Sequence, residues 1–118
     1  MPPNKRPLIS KYPGGNVAAG TSATNPVGAD PLGANRSFRI TCFGAALTHV
    51  GTAELQIRTQ LTPTEKWRTL RMVVGPGSAH FENFQPIEGD GVVALRIVRT
   101  NDDATDRKIK VWCEGFRR

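Results

Sequence analysis

The chain has 118 residues, a formal net charge of +6, 38% hydrophobic residues and 22% charged residues. That length holds one small domain able to bury roughly two-thirds of the surface its unfolded chain exposes. No apolar run approaches the ~20 residues of a membrane-spanning helix, and Met1-Pro2-Pro3-Asn4-Lys5-Arg6-Pro7 leads into no signal-peptide core, so neither a membrane protein nor a secreted precursor is expected.

Composition divides the chain near Arg36. Residues 1–36 contain Pro2, Pro3, Pro7, Pro13, Pro26 and Pro31, with Ala, Asn, Ser and Thr between them. Large apolar residues are sparse there (Leu8, Ile9, Tyr12, Val17, Val27, Leu32) and recur with neither strand nor helix period. The segment reads as an extended N-terminal arm that cannot by itself bury enough apolar surface to offset the entropy of ordering. It is expected to become ordered against a neighbouring subunit. Leu8, Ile9 and Tyr12 would be anchors and Lys5, Arg6 and Lys11 their charged companions; the alternative is that the arm wraps its own domain.

Residues 37–118 alternate with period two. Ser37–Phe43 sets Phe38, Ile40 and Cys42 against Arg39 and Thr41. In Thr52–Leu61, Ala53, Leu55, Ile57, Thr59 and Leu61 face one way, while Glu54, Gln56, Arg58 and Gln60 face the other. Trp67–Val74 puts Leu70, Met72 and Val74 on one face, and Ala79–Phe84 carries Phe81 and Phe84. Gly91–Thr100 points Val93, Leu95 and Ile97 inward, and Arg107–Phe116 points Ile109, Val111 and Cys113 inward, with Trp112 outward. Thr62-Pro63-Thr64, Gly75-Pro76-Gly77, Glu88–Gly91 and Asn101–Asp106 supply turn chemistry between these runs. The pattern predicts an all-β fold, a small antiparallel β-sandwich or barrel of six to seven strands over residues 37–118.

No residue constellation names a reaction. There is no GxSxG, and neither Cys42 nor Cys113 has a histidine close in sequence. His49 and His80 fall at strand edges, and Glu54, Glu65, Glu82, Glu88 and Glu114 lie in exposed patterns that provide neither the burial nor the like-charge neighbour that raises a carboxyl pKa. Asn101-Asp102-Asp103…Asp106 offers oxygens to a hard cation but lacks EF-hand spacing and reads as an acidic turn. Cys42 and Cys113 have no zinc spacing and read as reduced, buried thiols, with a bridge left open. An outward Trp112 is a candidate interface anchor or sugar platform, or core if a bulge shifts its register. The basic residues are dispersed, without the concentrated run or aromatic sheet face of a nucleic-acid binder. The chain is therefore expected to be no enzyme and to use no cofactor or metal.

The succession Glu54-Leu55-Gln56-Ile57-Arg58, Lys66-Trp67-Arg68-Thr69-Leu70, Phe81 and Phe84, Val93–Thr100, and Ile109–Gly115 resembles the small β-sandwich modules of tailed-bacteriophage virion proteins. With the arm, it is similar to capsid decoration, or cement, proteins. The resemblance spans residues 37–116 as a pattern of strands. It implies a virion protein, a homo-oligomer that binds across major capsid subunits, or other virion subunits, and stabilises the shell without catalytic residues. The alternatives are a carbohydrate- or receptor-binding module of a phage tail or fibre, and a nucleic-acid-binding coat protein. The interface residues expected on this view are Lys5, Arg6, Leu8, Ile9, Lys11, Tyr12 and Trp112.

Overall fold

A computed structural model describes residues 8–28 and 36–117. They form strands and no helix: β1 (Leu8–Lys11), β2 (Asn16–Val17), β3 (Ser22–Val27), β4 (Ser37–Gln60), β5 (Lys66–Glu82), β6 (Ile87–Glu88), β7 (Leu95–Asn101), β8 (Arg107–Lys108) and β9 (Lys110–Arg117). All pairings are antiparallel. The all-β sandwich or barrel expected from period-two alternation is therefore what the chain forms.

Its organising element is β4. The two short strands expected at 37–43 and 52–61 are one strand of 24 residues. Its first half pairs with β9 and its second half with β7, while its other edge pairs with β6 at Ser37 and Phe38 and with β5 from Cys42 to Gln60. The pairing with β5 jumps from Leu47↔Gly77 to Gly51↔Gly75, so both strands turn a corner together. Glycine is required at this corner because the backbones nearly touch. A Cβ on Gly75 would strike the His49 carbonyl, and one on Gly51 would strike the Thr100 carbonyl. Gly75-Pro76-Gly77, expected to end a strand, bends one instead.

Folding the sheet at this corner brings its two halves around one core. Phe38, Ile40, Phe43, Ala45 and Leu47 come from the first half of β4, Ala53 and Leu55 from the second, Leu95 and Ile97 from β7, and Val111 and Cys113 from β9. Side chains such as Phe38, Phe43, Leu55 and Ile97 are fully buried. Each contributes about 1.5–3 kcal/mol before entropy is subtracted.

The described part of residues 1–36 does not stand apart from residues 37–118. β1 pairs with β9, from Leu8↔Phe116 to Lys11↔Cys113; β2 pairs with β8; and β3 pairs with β7, from Ser22↔Thr100 to Val27↔Leu95. Val17 and Val27 belong to the core. Of the two expectations for this segment, residues 8–28 follow the one in which it wraps its own domain. The physical reason lies in buried polar groups of the body. Arg99, 6% exposed, donates through Nη1 to the carbonyls of Gly15 (3.0 Å) and Ile109 (3.1 Å) and through Nη2 to Asn25 Oδ1 (3.4 Å). Asn101 Nδ2 donates to the Val17 carbonyl at 2.8 Å. Segments that read as featureless locally thus complete a sheet and supply acceptors to both terminal nitrogens of a buried guanidinium, whose Nε alone keeps no hydrogen-bond partner among the described residues. Met1–Pro7, including Lys5 and Arg6, and residues 29–35 lie outside the described residues.

Candidate docking surface

β5 is the long edge of the sheet. Among the described residues it pairs only with β4, so one side of a strand of 17 residues has no partner strand. The other edges are shorter: β1 has four residues, and β3 has six with Pro26 among them.

Along the first half of β5 the side-chain alternation departs from expectation. Leu70, Met72 and Val74 were to share one face, the apolar side of the strand. Instead Val73 is buried opposite Ala53, while Met72 and Val74 are 47% and 59% exposed. Leu55 pairs with Arg71 and Gln56 with Thr69, so Leu70 is an extra residue, and this bulge inverts the phase beyond it. Met72 and Val74 consequently stand on the outer face, opposite Glu54 and Thr52, with Val98 of β7 on the far side of Glu54. Arg68 and Arg71 take the opposite side, across from Ile57 and Leu55. The Arg71 guanidinium lies 5.1 Å from the Phe84 ring centre and 5.8 Å from that of Phe81, closing the core edge with a cation–π contact.

A second departure fixes the outer face. Arg58, expected to point into solvent, is 3% exposed. Its Nε donates to the Val92 carbonyl (2.8 Å), its Nη1 meets Glu65 Oε1 (2.9 Å), and its guanidinium lies 5.5 Å from the Trp67 ring centre. Arg96 approaches the same ring at 3.9 Å and donates through Nε to Gln56 Oε1 at 2.7 Å. Gln56 Nε2 reaches Glu54 Oε2 at 3.4 Å, and Glu54 Oε1 accepts from Thr69 Oγ1 at 2.8 Å. These contacts link β4, β5 and β7 into a rigid polar plate beside exposed Met72 and Val74. Sequence reasoning missed the plate, because only the register brings Arg58, Trp67 and Arg96 together. Its signal was an arginine at an outward position on each of two strands and a tryptophan on a third.

The expected interface residues are placed as follows. Leu8 and Ile9 are strand residues of β1, opposite Phe116 and Gly115. Lys11 is exposed opposite Cys113, and Tyr12, 59% exposed, follows it. Trp112 is half-buried on the outer face of β9. Its indole occupies the space that a side chain on Gly44 would fill. Trp112 Nε1 donates to His80 Nδ1 at 3.2 Å, and the rings stack at 26°. With Nδ1 accepting, the His80 proton sits on Nε2, which donates to Glu82 Oε1 at 3.1 Å. Trp112 is thus tied to the far half of β5, on the opposite side of the corner from Met72 and Val74.

Other candidates are occupied by local structure. Asp103 accepts Arg107 Nε (2.7 Å) and Thr105 Oγ1 through Oδ2 and the Ala104 N–H through Oδ1, and these contacts, the Arg107 bond foremost, hold its carboxyl below the usual range. The Val93 and Val92 N–H groups do the same for Asp90. Both cysteines are free thiols; burial, and secondarily the nearby Cys42, push the Cys113 thiol up to about 12. Among the described residues no group of three or more His, Cys, Asp or Glu is placed to hold a metal ion. No family model matches the chain, and no curated protein matches it.

Proposed function

We propose that the chain is a structural virion protein, a capsid-decorating subunit that docks on major capsid subunits and stabilises the shell. The virion assignment rests on the succession of strands in residues 37–116. The mode of attachment rests on one observation: a long β5 edge flanked by exposed Met72 and Val74 and by an immobilised plate of arginines around Trp67. Edge strands are ordinarily short or covered, because an unpaired ladder is a template for other chains. A rigid plate also enters an interface with little entropy left to lose.

This reading moves the contact surface. A free arm over residues 1–36 would lie across neighbouring subunits, but residues 8–28 are committed to β9, β8 and β7 of their own chain. Docking then falls to the sheet. The net charge of +6 favours encounter with an acidic shell, and repetition of weak contacts over many symmetric copies makes attachment firm. The test is co-sedimentation of the purified chain with preformed shells. Met72→Asp/Val74→Asp, at exposed positions, is expected to fold and to lose binding. Undiminished binding of the folded double variant would overturn the reading.

Trp112 favours a second reading, a carbohydrate-binding module, because an indole laid flat on a sheet can stack on a sugar face. Saturable glycan binding abolished by Trp112→Ala would support it; no binding across a glycan array would remove it.

A further inference from the structure

We propose that the first half of β5, Lys66–Val74, accepts an extended acidic segment of a partner protein as an added antiparallel strand. The inference rests on the docking reading of this surface, though not on the virion assignment.

Three observations carry it. The outer side of this strand has no partner among the described residues. Its two flanks differ in chemistry: Arg68 and Arg71 project to one side, and Met72 and Val74 to the other, with Lys66 at the end. Successive side chains of an incoming strand alternate between those flanks. The complementary segment therefore alternates acidic residues, set against Arg68 and Arg71, with apolar residues set beside Met72 and Val74. Backbone hydrogen bonds supply the affinity and this alternation supplies the selectivity.

Charge also selects against a second copy of the chain. Two β5 edges paired antiparallel keep like flanks on the same side, so Arg68 and Arg71 of one copy would face those of the other. Four arginines would then crowd one ribbon, and like charges on neighbouring cross-strand positions are destabilising. Beyond Val74 the strand turns its corner at Gly75-Pro76-Gly77, which ends this stretch of edge, bulged once at Leu70, and sets the length of segment it can hold.

The experiment uses the full chain and a short blocked peptide alternating Glu with Val. Two controls accompany it: the same peptide alternating Lys with Val, and the Glu peptide interrupted by a central proline. Amide hydrogen exchange, read by NMR, reports on residues 66–74. The Glu peptide is expected to slow exchange of the outward amides of β5, and both controls are expected to leave them unchanged. Arg68→Glu/Arg71→Glu is expected to weaken the Glu peptide at least about tenfold and to bring in the Lys peptide. Arg68→Glu alone, at an exposed position, carries the same test should the double variant fail to fold. Equal binding of the proline-interrupted peptide would show charge attraction without strand addition and overturn the proposal. So would protection of β5 by self-association without peptide, or no protection at all. Shell docking without peptide protection would sink strand addition and leave the decorating role standing. Peptide protection without shell docking would do the reverse.

Discussion

At the scale of single residues, the strongest constraints are polar groups inside an apolar core. Arg99 is buried, and its bonded partners are carbonyl and amide oxygens rather than a carboxylate. Burial pulls its pKa down from the usual arginine value. Removing the side chain would leave the Gly15 and Ile109 carbonyls short of a donor and loosen the N-terminal strands. Arg99→Ala is expected to cost about 2–4 kcal/mol in urea unfolding. A loss below half a kcal/mol would mean that the guanidinium holds nothing in place. The titrating groups give the molecule two pH limits. Asp90 and Asp103 are held below the usual carboxylate range, so the stability they add is present above about pH 4 and is lost as pH falls through their folded values. Asp103→Asn is expected to flatten the acid limb of a stability–pH curve. Cys113 behaves oppositely. Its folded pKa of about 12 lies above the ordinary thiol value, so the stability it contributes is intact at neutral pH and is lost as pH climbs from about 9 towards 12. Native-state alkylation at neutral pH, followed by mass spectrometry, is expected to label half-buried Cys42 well before Cys113.

At the scale of elements, the sequence was legible wherever alternation was unbroken. Ala53 and Leu55, Leu95 and Ile97, and Ile109, Val111 and Cys113 all point inward as their spacing predicts. It was illegible where a strand bends or bulges. One extra residue at Leu70 reverses the faces of Met72 and Val74, and nothing in the local string Trp67–Val74 marks the reversal, because apolar residues stand at both phases. The corner at Gly51 and Gly75 was read as two strand ends, since Gly and Pro in sequence signal a turn whether the chain reverses or only kinks. Close packing distinguishes the two. Gly75→Ala, whose Cβ would meet the His49 carbonyl and the Leu47 side chain, is expected to lower stability by about 1–3 kcal/mol. An unchanged unfolding midpoint would show that the corner is open. Gly77→Ala, where the nearest atom to a new Cβ is at 3.5 Å, serves as a comparison at a position with more room but a φ of +150° that strains any side chain.

At the scale of the whole molecule, the fold closes by joining the two ends of the chain. Leu8 pairs with Phe116, and Ser22 with Thr100. Pairings across such separations leave no local trace, which is why the N-terminal segment reads as an arm although residues 8–28 are built into the sheet. The candidate surface was hidden for the same reason. Lys11 and Tyr12 were picked as parts of an arm and Trp112 as an outward residue of its strand, but Arg58, Trp67 and Arg96 meet only once β4, β5 and β7 are in register. Removing the N-terminal strands uncovers edges of β7 and β9 and takes Val17 and Val27 out of the core. Deletion of residues 2–35 is therefore expected to yield an aggregating or unfolded chain in circular dichroism and gel filtration, not a trimmed domain.

Hydrogen exchange of the isolated monomer, resolved by residue, tests whether one body or a body with a loose arm has been described. Amides of Ser22–Val27 that bond to β7 are expected to open only with the global unfolding of the chain, at the same free energy as the amides of Leu95–Asn101 opposite them. Exchange throughout residues 8–28 at the rate of an unstructured peptide, beside full protection of β4, β7 and β9, would contradict the account and return attachment to the arm.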